Sequence, residues 1–440
     1  MNENVELAFG MIALLLVLMA FRIPIALAMM ACGALGYSIL AGYESVLDYF
    51  GSVPVAKYST YDLSVVPLFL LMGELATRAG ITSELFRTCN TWIGQLRGGL
   101  AMASVSGCAA FGAICGSSLA TASTMGKVAL PEMKKAKYSG GLSAGALAAG
   151  GTLGILIPPS MVLIIFSVLT EQNIAKMFIA AFLPGFLAAF GYLLAIAVVV
   201  RIKPEAGPAG EKTTWAQKFR STLDVWHITI IFLIVLGGIY AGIFTPSEAA
   251  AVGVVLTAVL AFTHGGMRWE GFKESILKTA VSTAMIFFIL LGADLFSVFV
   301  ALTQLPAAGA EWITHSGYSP YMVLTIMLIS YLILGCFMDS LAMILLTIPI
   351  YFPIIMGMDF GLSGSDLGIW FGIIALVVVE VGLITPPVGM NVFIIQSFDK
   401  ELKMTEAFRG VIPFLISDII RVILMILFPG ITLWLVHLIG

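Results

Sequence analysis

The chain has 440 residues, 60% of them hydrophobic and 11% charged, with 22 basic and 25 acidic side chains. Soluble domains carry about 25% charged and about 45–50% apolar residues, so this composition excludes a soluble globular enzyme, a disordered protein and a nucleic-acid binder. Because a transmembrane helix needs roughly 20 apolar residues, the sequence predicts an all-α integral membrane protein in a lipid bilayer.

Sequence motifs for nucleotide binding and nucleophilic catalysis are absent, so we predict neither an ATP-driven pump nor an enzyme. The five cysteines and four histidines lack the spacing of a zinc or redox site. The formal net charge is −3 and no basic patch dominates, so no nucleic-acid partner is expected.

Basic residues mark one face of the predicted membrane protein. Cytoplasmic loops carry an excess of Lys and Arg, and 18 of the 22 basic residues fall in six clusters. We therefore assign these clusters to the cytoplasm: Arg22 and residues 78–97, 134–137, 201–220, 268–278 and 400–409.

Apolar runs between the clusters predict the elements of a first half, residues 1–202. Residues 98–133 start and end beside basic clusters, which favours a re-entrant hairpin with its tip at residues 116–118. The segment over 81–97 is amphipathic, as in an interfacial arm helix. In chain order we predict helices over 5–21 and 24–42, a loop holding Glu44 and Asp48, a helix over 62–77, the arm, the hairpin, a broken helix over 139–168 and a helix over 177–200.

Residues 203–223, with prolines, glycines and charges, predict a cytoplasmic linker to a second half, residues 224–440. Residues 319–357 have no Lys or Arg at either flank, so we expect a second hairpin from the opposite face, with its tip near Gly335 and Ser340. The other predicted elements are helices over 225–244, 247–264 and 276–300, a broken helix over 369–396 and a helix over 410–437. This gives ten transmembrane helices plus two re-entrant hairpins, with both termini periplasmic.

The two halves share residues as well as opposite charge topology. The runs over 150–160 and 381–391 each carry a proline pair, and each hairpin tip has a Ser-Leu-Ala sequence. A proline follows each tip serine by 13 residues, at positions 131 and 353. Weak internal symmetry with inverted topology is the sequence signature of an inverted-repeat secondary transporter.

The proline pairs at 158–159 and 386–387 interrupt apolar helices, where unpaired backbone groups are costly. Proline suits the first turn of a helix, so we expect a second half-helix to start at each pair. The carbonyls of residues 154–157 and 382–385 would then be free to bind a cation. The alternative is a simple structural kink.

The hairpin tips offer helix N-termini to the membrane centre. Ser117, Ser118 and Ser340 are good N-cap residues, and the positive ends of the helix dipoles favour a bound anion there. Gly116 and Gly335 permit close backbone approach, although small residues also serve helix packing in membranes.

Ionisable side chains inside apolar segments are functional candidates by default. Asp339 is the strongest because it lies at a hairpin tip, with helix capping as the alternative. Asn391, just past the second break, is expected to hydrogen-bond substrate or to serve as a packing amide. The ionisable candidates are Glu74, Lys127, Asp294, Asp339, Glu380 and Arg421.

Eight motifs spread over nearly the whole chain are specific in combination rather than singly. They are VPLFLLMGELATRAG (66–80), RGGLA (97–101), GAICGSSLATAS (112–123), KVALPEM (127–133), GGTLGILIPPS (150–160), IFTPSEAAAVG (243–253), GCFMDSLAM (335–343) and GLITPPVGMN (382–391). Together they resemble the large membrane subunit of the tripartite ATP-independent periplasmic (TRAP) transporters, the DctM-like family.

The resemblance implies an elevator-type transporter, in which two hairpins and two broken helices move against a scaffold. It also implies coupling to sodium ions (Na+), a periplasmic substrate-binding protein and a small four-helix membrane subunit. No four-helix extension precedes the first helix, so we expect that subunit to be a separate chain. The substrate would be a small organic anion, such as a carboxylate, sugar acid or sulfonate, and the location the bacterial inner membrane.

By position, the resemblance implies two sodium sites with a substrate site between the tips. The first sodium site would use Ser117, Ser118, Gly154, Ile157 and Pro159. The second would use Gly335, Asp339, Ser340, Gly382, Thr385 and Met390. The substrate contacts would be Gly116, Ser118, Thr152, Ser340 and Asn391, and the resemblance does not identify a substrate-binding arginine.

Two alternatives remain open at this point. A stand-alone sodium/divalent-anion symporter of related fold would work without partner subunits. An ion channel or membrane scaffold belongs to a different class, although a channel would not require paired inverted hairpins with broken helices.

Overall fold

The protein is described by a computed structural model that covers residues 3–316 and 318–439. Within these residues the chain folds into 21 α-helices and two short 3-10 turns, and it contains no β-strand. The prediction of an all-α fold is therefore confirmed.

The first half, up to residue 202, contains ten helices. They are α1 (Glu3–Ala20), α2 (Ile25–Ala41), α3 (Tyr43–Tyr58), α4 (Val65–Arg78), α5 (Ile81–Ile93), α6 (Gly99–Cys115), α7 (Ser118–Lys135), α8 (Gly140–Leu156), α9 (Met161–Thr170) and α10 (Ile174–Ile202). The 3-10 turns are Tyr61–Ser64, before α4, and Pro204–Ala206, after α10.

The predicted linker is partly helical, because α11 (Trp215–Asp224) lies at its end. The remaining helices belong to the second half. They are α12 (Trp226–Tyr240), α13 (Pro246–Thr263), α14 (Trp269–Leu302), α15 (Leu305–Ser316), α16 (Pro320–Gly335), α17 (Ser340–Met356), α18 (Gly364–Gly382), α19 (Met390–Phe398), α20 (Met404–Leu427) and α21 (Gly430–Ile439).

Several helices are long and apolar enough to cross a membrane. The described residues contain six such helices, or up to nine when each of three bent helix pairs counts as one span. The bent pairs are α4–α5, α8–α9 and α11–α12, with bends of 67°, 42° and 54°. The chain is therefore a multi-pass membrane protein.

The first predicted hairpin consists of α6 and α7, with Gly116 and Ser117 as its tip. Ser117 is the N-cap of α7, and its hydroxyl accepts a hydrogen bond from the backbone N–H of Ala120 at 3.4 Å. The prediction that Ser118 also caps is wrong, because Ser118 is the first residue inside α7. Its hydroxyl is therefore available for a different contact.

The second predicted hairpin consists of α16 and α17. Asp339 is the N-cap of α17, and its carboxylate accepts a hydrogen bond from the backbone N–H of Ala342 at 3.3 Å. The N-cap prediction for Ser340 is wrong for the same reason as for Ser118, since Ser340 is the first residue inside α17. The two serines thus occupy the same position in the two hairpins.

Both proline pairs lie in non-helical segments between two half-helices, residues 157–160 and 383–389. A second half-helix follows each pair, as predicted, but it begins two or three residues after the prolines, so the prolines lie in the break rather than in the first turn of α9 or α19. The Ser160 hydroxyl caps α9 by accepting from the backbone N–H of Leu163 at 3.4 Å. Gly389, whose φ is +58°, turns the chain into α19.

Three helical segments differ from the predictions. Residues around Glu44 and Asp48 form α3 rather than a loop, and tertiary contacts to α14 stabilise it. Residues 305–316 form α15, for which no element was predicted. The predicted helix over 410–437 is divided into α20 and α21 at Pro429, because proline supplies no backbone N–H to continue the helix.

The two broken helices lie at the centre of the fold. Every residue of α8 from Gly141 to Leu156 is buried, and so is every residue of α18 from Leu367 to Gly382. α8 packs against α6, α7 and α20, and α18 packs against α16 and α17. This packing brings each break beside a hairpin tip.

A second group of helices packs mainly with itself. α14 runs along α2, and α13 packs along α4. Lys57 of α3 forms an ion pair with Asp294 of α14, and the Tyr49 hydroxyl donates to the same carboxylate at 2.6 Å. These contacts join the first and second halves outside the hairpins.

Gly410→Ala tests the close packing of α8 against α20. A Cβ at Gly410 would collide with the Gly141 carbonyl, and overpacking costs about 1–3 kcal/mol, so we expect a lower unfolding temperature in detergent. Gly237→Ala is the control, because nothing lies within 4 Å of a Cβ there. Equal unfolding temperatures for the two variants would contradict the close contact.

Candidate functional site

Glu380 lies between the two hairpin tips and is fully buried. One carboxylate oxygen accepts a hydrogen bond from the Ser118 hydroxyl of α7, and the other accepts from the Ser340 hydroxyl of α17. A single side chain of the broken helix α18 thus joins both hairpins. We call Glu380, Ser118 and Ser340 the tip cluster.

The tip cluster lies at the N-termini of two helices, because Ser118 and Ser340 are the first residues of α7 and α17. The unsatisfied N–H groups of a helix N-terminus carry partial positive charge and favour a negative group. Among the described residues, no Lys, Arg or His forms an ion pair with Glu380, so hydroxyls and helix ends are its polar partners. The cluster is therefore built to hold an anionic group.

The first break places several oxygens around the first tip. A Cβ on Gly154 would lie 2.7 Å from the Ser117 carbonyl oxygen, and one on Gly116 would lie 3.1 Å from the Pro159 carbonyl oxygen. The Thr121 hydroxyl also faces Gly154, is buried, and has no hydrogen-bond partner in the described structure. The structure thus brings together Gly116, Ser117, Gly154 and Pro159, and it adds Thr121.

The oxygens around the first break are the kind of ligands that a hard cation takes. Backbone carbonyls and hydroxyls bind such ions without a carboxylate when the chain departs from helical hydrogen bonding. Ile157 lies at the C-terminal end of α8, and its own N–H still bonds the Leu153 carbonyl at 3.1 Å. Its carbonyl belongs to the non-helical segment.

The second break lies against the second tip in a similar way. A Cβ on Gly335 would lie 2.8 Å from the Gly382 Cα, so only glycine permits this approach. The Cys336 thiol donates to the Pro386 carbonyl at 3.0 Å, and the Thr385 hydroxyl donates to the Val381 carbonyl at 2.6 Å. A lone pair of the Thr385 hydroxyl stays free to bind a cation.

Two other residues of the predicted second sodium site, Asp339 and Met390, lie at the N-termini of helices. Asp339 caps α17, which was the alternative to a functional role for it. Met390 is the first residue of α19. The structure therefore groups Gly335, Gly382, Thr385 and Ser340 around the second tip.

Asn391 joins the second break to the first broken helix. Its side-chain NH₂ donates to the Ala148 carbonyl of α8 at 3.2 Å, and its backbone N–H bonds the Leu383 carbonyl at 3.1 Å. The side-chain oxygen is buried and has no partner in the described structure. A buried amide oxygen without a donor is costly, so Asn391 offers an acceptor to a ligand or water.

Thr152 belongs to a separate buried network. Its hydroxyl contacts the Tyr192 hydroxyl at 3.0 Å, and Tyr192 donates to Asp418 at 2.8 Å. Asp418 also binds Arg421 at 2.8 Å. Arg421 and Asp418 neutralise each other, and the network ties α8, α10 and α20 together.

The other ionisable candidates have their own partners. Glu74 pairs with Lys278 at 2.8 Å, and Lys57 pairs with Asp294. The Lys127 ammonium lies 5.7 Å from the centre of the Phe398 ring. These contacts leave Glu380 as the fully buried carboxylate of the described residues that has no basic partner.

Sequence reasoning named Glu380 as a buried ionisable residue but did not place it in a site. The available signal was its position two residues before Gly382, at the end of an apolar helix that leads into a break. Thr121 was not named, and its signal was the spacing of one helical turn from Ser118. Glu380 contacts serines of two other helices and Thr121 lies against Gly154 of α8, so neighbours distant in sequence define both positions.

Tyr192→Phe tests the buried network of α8, α10 and α20. Removing the hydroxyl leaves Asp418 short of a donor, and an unsatisfied buried group costs about 1–3 kcal/mol, so the unfolding temperature should fall. Tyr61→Phe is the matched control, because Tyr61 is 63% exposed. Differential scanning fluorimetry in detergent compares the two, and an equal response would mean that the network adds no stability.

Comparison with known families places the chain clearly. The family model described as "Tripartite ATP-independent periplasmic transporter, DctM component" matches residues 12–431. The chain is 36% identical over 398 residues to the C4-dicarboxylate TRAP transporter large permease protein DctM of Pseudomonas aeruginosa, covering 89% of this chain and 91% of that protein.

Two further comparisons cover almost the whole chain. The sialic acid TRAP transporter large permease protein SiaM of Vibrio cholerae is 29% identical, with 92% of this chain and 93% of that protein covered. The crystal structure of the Alcanivorax borkumensis YdaH transporter superposes with a TM-score of 0.65 at 13% identity, covering 94% and 98% of the two chains. The likeness to the YdaH transporter concerns the fold alone.

Proposed function

The chain belongs to the DctM component family of tripartite ATP-independent periplasmic transporters, and we propose that it imports a small organic anion by coupling to sodium ions. It is a transport permease of the inner membrane and not an enzyme. The proposal has four parts: the substrate class, the coupling ion, the elevator motion and the partner chains.

The observation that carries the proposal is the meeting of both hairpin tips at Glu380. The first hairpin comes from the first half of the chain, and the second hairpin comes from the second half. A substrate site at the contact between two such repeats is typical of secondary transporters. The two tips therefore supply the place where an anion and its coupling ions would bind.

Packing between the halves supports an elevator motion. α19 of the second half packs against α7 and α8 of the first half, while α18 contacts α8 and α9. The hairpins and broken helices thus form one body that crosses the boundary between the halves. We propose that this body moves as a unit against the group that contains α2, α4, α13 and α14.

Carbonyl and hydroxyl oxygens with lone pairs to spare support sodium coupling at the two breaks. The first set comprises the carbonyls of Ser117 and Pro159 with the Thr121 hydroxyl, and the second centres on Thr385. We propose one sodium ion at each set. A cation beside each tip would also offset the negative charge of a bound organic anion.

A C4-dicarboxylate is the first substrate to examine, and sialic acid is the second. The relatives from Pseudomonas aeruginosa and Vibrio cholerae described above are named for transport of these two compounds. Both compounds are small and bear carboxylates, which suits hydroxyl donors at helix N-termini. A periplasmic binding protein and a small four-helix membrane subunit on a separate chain are the proposed partners.

Uptake into proteoliposomes tests the proposal as a whole. The chain is reconstituted with the membrane subunit and the binding protein, and radiolabelled succinate and sialic acid are supplied with an inward sodium gradient. We expect accumulation that requires both the gradient and the binding protein. Uptake that ignores sodium would contradict the coupling, and uptake without the binding protein would favour a stand-alone symporter.

Thr121→Ala and Thr385→Ala test the two sodium sites separately. Loss of a group that binds or orients a metal ligand typically costs at least about tenfold in affinity, so the half-saturating sodium concentration of uptake should rise by that factor. Thr325→Ala is the matched control for Thr385. Thr325 makes the same hydrogen bond to the fourth preceding carbonyl, at 2.7 Å, but lies on the exposed face of α16.

Sodium titration of the initial uptake rate gives the result for each variant, with protein amounts equalised after reconstitution. Wild-type sodium curves for both Thr121→Ala and Thr385→Ala would show that the ion sites lie elsewhere. A shifted curve for Thr325→Ala would show that the assay responds to threonine loss in general.

A further inference from the structure

Glu380 occupies the position that an anionic substrate would need between the hairpins. Its two carboxylate oxygens take the Ser118 and Ser340 hydroxyls, one each. The glutamate side chain is fully buried, and none of the described basic residues forms an ion pair with it. The tip hydroxyls are therefore already bound to a carboxyl group that belongs to the protein itself.

A substrate carboxylate presents the same chemistry as the Glu380 side chain. Both are planar acceptors with two oxygens, and each serine hydroxyl has a single proton to donate. Substrate and Glu380 therefore cannot both hold the tip hydroxyls.

The backbone beside Glu380 allows the side chain to leave. Glu380 lies in the last turn of α18, which ends at Gly382, and the segment over 383–389 is not helical. Residues at the end of a helix can change conformation without breaking the hydrogen bonds of the helix interior. Glu380 can thus withdraw while the rest of α18 keeps its packing.

We propose that the Glu380 carboxyl and the carboxylate or sulfonate of the substrate compete for the hydroxyls of Ser118 and Ser340, so that a bound substrate displaces Glu380 from both serines. This inference rests on the proposed transport function and adds a competition between protein and substrate for the same two donors. In the empty carrier, Glu380 keeps the two tips together. In the loaded carrier, the substrate takes over that role.

Glu380→Gln is the central variant for this proposal. The glutamine amide has one acceptor oxygen where the glutamate carboxyl offers two, so it competes for only one of the two hydroxyls. The KM of uptake should therefore fall about tenfold, on the order of one hydrogen bond. The substrate then leaves the tips more slowly, and kcat should fall as well. A side chain with a purely structural role would lower activity without lowering KM.

The measurement uses the complete complex in proteoliposomes and whichever of succinate and sialic acid the wild type takes up. Glu380→Asp is the second variant, in case the glutamine variant folds poorly. Its shorter side chain cannot reach both serines, so KM should again fall, but by less. Size-exclusion chromatography verifies folding of each variant.

Two further variants sharpen the test. Ser340→Ala removes one shared donor, so the KM change caused by Glu380→Gln should become smaller in the double variant than in the wild-type background. Asp418→Asn is the control for loss of a buried carboxylate, because Asp418 contacts Tyr192 and Arg421 rather than the tips. It should lower the unfolding temperature without lowering KM.

The outcomes separate the inference from the proposed function. Wild-type uptake with an unchanged or raised KM in Glu380→Gln and Glu380→Asp would overturn the inference and leave the transport function in place. Lack of uptake of both anions by the wild type would overturn the proposed substrate class and the inference with it. A lowered KM in Asp418→Asn would also overturn the inference, because the effect would then not require contact with the tips.

Discussion

A buried carboxylate needs donors, and this requirement shapes the centre of the protein. Glu380 lies in an apolar helix with none of its surface exposed, and the donors it finds are the hydroxyls of Ser118 and Ser340. Leaving an ionisable group without partners in a membrane protein is costly. Because the two serines belong to different hairpins, satisfying Glu380 fixes the position of one hairpin relative to the other.

The helix breaks follow from a second requirement, the satisfaction of backbone groups away from water. Each proline pair removes donors from its segment, and the freed carbonyls must find other partners. The protein itself supplies some of these partners. The Pro386 carbonyl, for example, accepts a hydrogen bond from the Cys336 thiol. Two buried polar atoms near these segments have no hydrogen-bond partner in the described structure. They are the Thr121 hydroxyl and the Asn391 side-chain oxygen. Helix breaks in a membrane thus become places for ligands.

The other ion pairs inside the fold, one buried and one half-buried, stabilise helix packing rather than lie at the tips. Arg421 and Asp418 pair within α20 and reach α10 through Tyr192, while Lys57 and Asp294 hold α3 to α14. Each pair neutralises itself, so neither leaves a charge for an ion or substrate. The paired residues thus stabilise helix packing. Glu380 differs from them because it has no basic partner and contacts both hairpin tips.

The sequence by itself determined the membrane class, the family and the approximate position of the hairpins and breaks, because apolar runs, basic clusters and proline pairs are local signals. It also identified Ser118 and Ser340 as tip residues. It could not assign their contacts, since whether a serine caps a helix or donates across the fold depends on the helix that packs beside it. The meeting of Glu380 with Ser118, 262 positions apart, was decided by the tertiary structure alone. The helix formed by residues 43–58 was likewise decided by packing, because Tyr49 and Lys57 contact α14 rather than residues nearby in sequence.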